Sequence, residues 1–419
     1  MTLLKRLNPD EIAPGMSGAI DPEALAAARS IVDEVRIRGV SAVHEYAVRF
    51  GERAPGDPLV LGRDAMRSAL DAMEPEDRGA LERAAERIER FAQAQRDSIQ
   101  PLTMNIPGGQ AGHTIEPVRS AGCYAPGGRY PLPSSVLMTA ITARVAGCER
   151  VVVATPGPDP VTLGACAIAG ADEVLCVGGA HAIATLAFGF DGLAPVDMIA
   201  GPGNAYVTAA KSLVRDRVGI DMLAGPSELL IIADASADPV LVAADLLAQA
   251  EHDELARPML VTIDPGLVER VEHELGSQLE TLRTSETAQR ALRNGFACVC
   301  ASIDEAIGVS DRIAPEHLEI MTDSAEDVAT RVRSAGGVFI GSRSAEVLGD
   351  YGAGPNHTLP TGGTARFTAG LSVMHFLRLR TWIRIDDERE ARGLVEDTAR
   401  IASLERLHGH ERAARLRSM

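Results

Sequence analysis

Gln249 and His252 stand three residues apart in the run Leu241–His252 (LVAADLLAQAEH). Its apolar residues Ala243, Leu246, Leu247 and Ala250 mark one face of a helix, so Gln249 and His252 project from a common side. An amide oxygen and an imidazole nitrogen one turn apart could both reach a single cation. Glu316 and His317 form a second pair, after Pro315: an acid beside a group that titrates near neutrality suits proton transfer when both face a cleft. A third segment, Gly349–His357 (GDYGAGPNH), offers Asp350 and His357 from a glycine-rich stretch that reads as a loop. Taken alone, the first pattern reads as a solvated helix face and the second as a surface loop, and the third reads equally well as a plain connection.

Four turns could bring backbone N–H groups up to a ligand: Ala125-Pro126-Gly127-Gly128, Gly178-Gly179, Gly201-Pro202-Gly203-Asn204 and Ala224-Gly225-Pro226-Ser227. None completes G-x-G-x-x-G, so spacing alone does not assign a dinucleotide.

These segments need elements to hold them. Asp21-Pro22-Glu23 has the residues of a helix start, and Gly39 those of its stop. A charged helical region spans about 63–96. Short apolar runs at Val151–Ala154, Glu173–Val177, Glu228–Ala233, Pro258–Ile263, Ala297–Cys300 and Val338–Ile340 alternate with helical stretches. That alternation predicts α/β architecture with parallel sheets. Residues 1–20 read as an irregular arm. The tail from about 385 reads as charged helix and contains His408 and His410.

Composition narrows the function classes. The 419 residues are 46% hydrophobic and only 3% aromatic, which fits a globular enzyme packed with small aliphatics. The formal net charge is −17, and no basic run exists to neutralise a nucleic-acid backbone. No unbroken apolar stretch reaches membrane-spanning length, and the N-terminus lacks a signal-peptide core. Six cysteines without a C-x-x-C pair read as buried thiols of a reducing cytoplasm.

Taken together, GPGNAYV, VGIDMLAGPSELLIIAD, DLLAQAEHD, APEHLE and GDYGAGPNHTLPTGGTARF closely resemble the histidinol dehydrogenase family, from about residue 20 to the C-terminus. The resemblance implies two Rossmann-like parallel-sheet domains with a small arm and a small C-terminal helical domain. It divides the chain into an arm (1–20), a discontinuous first domain (21–120 and 230–367), a second, NAD-binding domain (121–229) and a dimerisation tail (368–419). It implies a zinc site of Gln249, His252, Asp350 and His410, and Glu316 and His317 as the acid–base pair. Substrate contacts would come from Ser227, Gln249, His252, His317, Asp350, Glu405 and His410, and cofactor contacts from Tyr124, His181 and Asn204. His181 stands where the family carries Gln. Glu405 and His410 would be donated to the partner's site of a homodimer. His357 matches a family histidine whose role stays open. The implied reaction takes histidinol to histidine through the aldehyde, with two NAD reduced. The stretch Gly128-Arg129-Tyr130-Pro131-Leu132 is instead similar to a branch oxidising other small alcohols, such as sulfopropanediol. A metal-binding protein or zinc hydrolase without redox chemistry is the rival from another class.

Overall fold

The computed structural model describes residues 2–14, 20–127 and 131–417. Strands run β1 (Lys5–Leu7), β2 (Val60–Gly62), β3 (Leu102–Ile106), β4 (Gly109–Pro117), β5 (Ser120–Tyr124), β6 (Arg150–Ala154), β7 (Glu173–Leu175), β8 (Met198–Ala200), β9 (Gly219–Ile220), β10 (Glu228–Ala233), β11 (Arg257–Thr262), β12 (Phe296–Val299), β13 (His317–Met321), β14 (Gly337–Ile340) and β15 (Leu377–Ile385). The first eight helices are α1 (Pro22–Arg38), α2 (Val40–Arg49), α3 (Arg63–Asp71), α4 (Pro75–Asp97), α5 (Pro133–Ala146), α6 (Pro160–Ile168), α7 (Gly179–Phe188) and α8 (Ala205–Leu213). The rest are α9 (Pro239–Ala250), α10 (Pro265–Leu279), α11 (Ser285–Leu292), α12 (Ile303–Ile313), α13 (Ala325–Arg331), α14 (Glu346–Asp350), α15 (Arg392–Leu404) and α16 (His408–Arg415).

Two six-stranded sheets dominate. One runs β2-β7-β6-β5-β8-β9, with only β2 antiparallel; the other runs β1-β12-β11-β10-β13-β14 and is parallel throughout. Their central strands are apolar on both faces because helices cover both sides. In β10, Leu229 and Ile231 enter one core cluster, while Leu230 and Ile232 enter the other. In β6, Val151 and Val153 face one layer, and Val152 and Ala154 the opposite one. Each sheet reverses direction of growth beside a central strand, β5 or β10, which leaves a crevice there.

Local rules explain the helix starts. Asp21 Oδ1 accepts the Ala24 N–H at 2.8 Å, and Gly39 with φ 57° ends α1. The charged region near 63–96 is two helices, α3 and α4, because Pro75 cannot continue the first and instead opens the second.

Two expectations about organisation are corrected. Residues 1–20 are not wholly irregular: β1 pairs in parallel with β12 and edges the second sheet. The short strand KRL shows too little alternation to announce itself. The helices within 21–120 also cover the sheet of 121–229, not that of 230–367. The α1 stripe Ala24, Ala28, Val32 and Val35 packs on α7 and α8, α3 packs on α6, and α4 packs on α5. A third sheet, β15-β4-β3, joins part of the tail to the front of the chain.

Candidate functional site

Helix α9 is capped by Asp238, whose side chain accepts the Val240 N–H at 2.9 Å, and opens on Pro239. Its apolar face buries Val242, Ala243, Leu246, Leu247 and Ala250, and Gln249 is carried in with them at 0% exposure. Both amide atoms of Gln249 lack a hydrogen-bond partner among the described residues. Each such loss costs roughly 1–3 kcal/mol, so a buried amide with nothing to bind calls for a partner. His252 lies just past the helix end, with Nε2 3.6 Å from Asp350 Oδ2. Asp350 is not in a loop, as its glycine-rich surroundings suggest; it is the last residue of the short helix α14, which packs on α9.

That helix adds a residue the sequence reading missed. Glu346, one turn before Asp350, is buried, and neither carboxylate oxygen has a hydrogen-bond partner among the described residues. Ligand atoms of His252, Glu346 and Asp350 lie within 4.8 Å of one another. The spacing Glu-x-x-x-Asp on one helical face was the available signal. Burial pushes Asp350 up to about 6 although His252 pulls it down. Burial also drives Glu346 well above the carboxylate range, and the neighbouring Asp350 and Glu319 add to the effect. The two buried carboxylates and the imidazole form an N/O donor set that fits a divalent ion such as zinc, and the orphaned amide of Gln249 stands three residues before His252.

Next to this cluster lie Glu316 and His317. Ala314, in the left-handed region at φ 50°, ends α12 and turns the chain into β13, whose first residue is His317. Both side chains fasten on the peptide of Glu228, at the start of β10. Glu316 Oε2 accepts its N–H at 2.9 Å, and His317 Nδ1–H donates to its carbonyl at 3.0 Å. This fixes the tautomer, so Nε2 carries the lone pair. Nε2 is buried without a hydrogen-bond partner among the described residues, 3.7 Å from Glu346 Oε1 and 4.0 Å from Asp350 Oδ1. Burial pushes His317 down to about 3, and His252 and His357 lower it further, against the bond to Glu228. Glu316 moves the other way, well up, again chiefly through burial. Ser227 directly precedes Glu228, and its carbonyl accepts the Arg257 N–H at 2.9 Å. His357 Nδ1–H donates to the Asp350 carbonyl at 3.0 Å, bracing the end of α14. Burial pushes His357 down to about 4.

A cavity of about 1120 Å³ runs from His252 and Asp350 to Tyr124, Gly127 and Asn204. Tyr124 ends β5, and Asn204 caps α8 through Oδ1, which accepts the Tyr206 and Val207 N–H groups at 3.1 and 3.2 Å. These two residues flank the crevice between β5 and β8. The preceding turn is held from below. Buried Lys211 Nζ donates to the Gly201 carbonyl at 2.5 Å and to Asp221 at 2.7 Å, and Asp221 accepts the Gly201 N–H. Tyr124 is buried, which pushes its phenol up to about 12.

Three of the named residues do not join this arrangement within one chain. Glu405 and His410, at the end of α15 and on α16, are exposed and are absent from both the cation cluster and the cavity lining. His181 is 1% exposed and is absent from the cavity lining, and its Nδ1 has no hydrogen-bond partner among the described residues. Gly128, Arg129 and Tyr130 lie outside the described residues.

Known proteins share this arrangement of elements. A family model described as histidinol dehydrogenase matches residues 17–418. The histidinol dehydrogenase of Cereibacter sphaeroides is 44% identical, over 96% of this chain and 94% of its own. That of Thermus thermophilus is 43% identical, over 95% and 96% respectively. The crystal structure of histidinol dehydrogenase from Elizabethkingia anophelis superposes with a TM-score of 0.92 at 31% identity, covering 100% of this chain and 98% of that one.

Proposed function

The chain belongs to the histidinol dehydrogenase family, and from that premise we propose that it oxidises L-histidinol to L-histidine through the aldehyde, reducing two NAD+. The observation that carries the reading is His317 Nε2: a buried, unpartnered lone pair beside a cation-ready cluster, next to a cavity that reaches Tyr124 and Asn204. Gln249, His252 and Asp350 would hold zinc, with Glu346 beside them and His410 supplied by a second copy. When bound, zinc would orient the amino alcohol as a Lewis acid and NAD+ would accept the hydride.

The residues of the chain divide the proton work. Burial keeps His317 neutral, so Nε2 is free to take the hydroxyl proton as the first hydride leaves. After that proton passes to solvent and water adds to the aldehyde carbon, the same atom takes the proton of the hydrate as the second hydride leaves. Glu316, whose burial raises its affinity for a proton, draws one from the attacking water. One alcohol and one water thus give one carboxylate and two reduced cofactors. Ser227, which precedes the residue that both Glu316 and His317 grip, would contact substrate.

Glu405 and His410 would complete the site of a partner copy in a homodimer. Ile401, Leu404, Leu407 and Leu416, all exposed on the same tail, support that reading because they leave apolar surface to cover. No helix among the described residues is long and apolar enough to cross a membrane. The six cysteines are free and buried, which supports a cytoplasmic setting.

The test is NADH absorbance with L-histidinol, read beside sulfopropanediol and simple amino alcohols on one zinc-loaded preparation. NADH from histidinol is expected in twofold molar excess over histidine formed. Its absence, with zinc and NAD+ present, would overturn the assignment.

A further inference from the structure

The turn at Gly178-Gly179 has the look of a phosphate cradle, but its backbone donors are already engaged. Glu52, on the loop after α2, accepts the Gly178 N–H on Oε1 at 3.2 Å. Its Oε2 accepts His181 Nε2–H at 2.8 Å. The Gly179 N–H donates to the Tyr124 hydroxyl at 3.1 Å. A carboxylate from elsewhere in the chain therefore sits at the N-terminus of α7, where the helix dipole favours negative charge. Helix α7 has no side-chain cap of its own.

The surroundings make this a rigid clamp. The His181 ring lies 5.5 Å from Phe50 and 5.8 Å from Tyr46, so the segment that supplies the acid also supplies the apolar wall. A side chain at Gly178 would approach Pro156 to 2.9 Å, and Gly179 has φ 59°. The turn has little freedom except through Glu52. Tyr124, at the end of the clamp, lines the cavity.

We propose that Glu52 is a positioning residue for NAD binding: through the Gly178-Gly179 turn it fixes Tyr124 at the cavity wall, and it holds His181 in the same clamp through Nε2. This accounts for histidine at a position where the resemblance leads one to expect a glutamine contact. Its Nε2 is committed to Glu52 and its ring packs beside Tyr46 and Phe50, while Nδ1 has no hydrogen-bond partner among the described residues. The inference rests on the reading that NAD occupies the Tyr124–Asn204 end.

The experiment is calorimetric titration of the full-length protein with NAD+, with zinc content and the KM values for NAD+ and histidinol measured on the same samples. Glu52→Ala is expected to weaken NAD+ binding and raise its KM roughly tenfold, the scale of one charge-assisted hydrogen bond. Zinc content and the histidinol KM should stay within about twofold, because this end of the cavity is away from the cation cluster. Glu52→Gln keeps an acceptor for His181 Nε2–H and should recover most of the loss; it also serves if the alanine variant misfolds. His181→Ala and Glu52→Ala break the same bond, so their combined effect should be less than the sum of the two. Unchanged NAD+ affinity in Glu52→Ala, additive losses in the double variant, or a parallel rise in the histidinol KM would overturn the positioning role. Absence of NAD+ binding by the unsubstituted protein would instead overturn the reading on which it rests, and the inference with it.

Discussion

Substituting Gln249 with leucine separates a metal ligand from an ordinary core residue, because the two predict opposite signs. Gln249 is fully buried, and neither amide atom has a partner among the described residues. In metal-free protein each unmade bond costs roughly 1–3 kcal/mol, and a leucine of similar volume removes that cost while burying apolar atoms. Imperfect fit of the branched side chain takes back about 1 kcal/mol. Gln249→Leu should therefore leave chelator-treated protein as stable as the parent, or more stable by about 1–2 kcal/mol. Zinc at about 100-fold above its dissociation constant should stabilise the parent by about 2.7 kcal/mol and the variant by less, since a ligand is missing. Scanning calorimetry of parent and variant, each with chelator and with zinc, reads all four states. A variant that melts well below the parent in chelator, or gains as much from zinc, would refute the idea that Gln249 is kept for a cation.

Three further outcomes follow from the same geometry. His317→Ala should lower kcat by roughly 10²–10⁴-fold with zinc content unchanged, whereas His252→Ala or Asp350→Ala should lose metal and turnover together; metal analysis beside steady-state rates distinguishes them. His252→Ala and His410→Ala should each be inactive alone, yet regain about a quarter of parental activity when unfolded and refolded as an equal mixture, because half the dimers then hold one intact site. If the mixture stays inactive, the tail does not act across subunits. Burial, with Asp245 beside it, pushes Glu319 up from its usual 4.5 to about 8. The folded protein then binds more protons than the unfolded chain between about 4.5 and about 8, so this group's contribution to stability falls as pH rises through that window. Glu319→Gln keeps an acceptor for the Glu346 N–H and should flatten that slope in urea titrations; identical slopes would remove Glu319 as the cause.

The sequence was most legible where a residue's environment is local. The apolar runs at Val151–Ala154 and Glu228–Ala233 became central strands, and Asp21-Pro22 opened a helix, because strand burial and capping depend on near neighbours. His317 is the contrary case. It begins a strand, but Glu-His-Leu-Glu-Ile carries two acids, and their burial depends on Glu228 and Glu346 at positions far along the chain. Glu346 was missed for the same reason: an acid in a polar stretch reads as solvated until α14 is packed on α9. The edge strand β1 and the pairing of β15 with β4 join segments roughly 290 and 265 residues apart, and local periodicity carries no record of such partners. Gln249, His252 and Asp350 could be grouped only through the family resemblance, which is itself a record of the packing.

The two parallel sheets repeat one strand order, with β5 to β9 and β10 to β14 in corresponding places. They do not use it in the same way. Tyr124 and Asn204 stand at the carboxyl edge of the first sheet, while Glu228 and His317 stand at the amino edge of the second. The fold is thus one plan written twice and read from opposite ends, with the cavity where the two readings meet. That division gives each half its own evolutionary latitude. Under the proposed function, loops at the carboxyl edge of the first sheet would hold the nucleotide and the amino edge of the second would handle protons, so either could change while the other stays fixed.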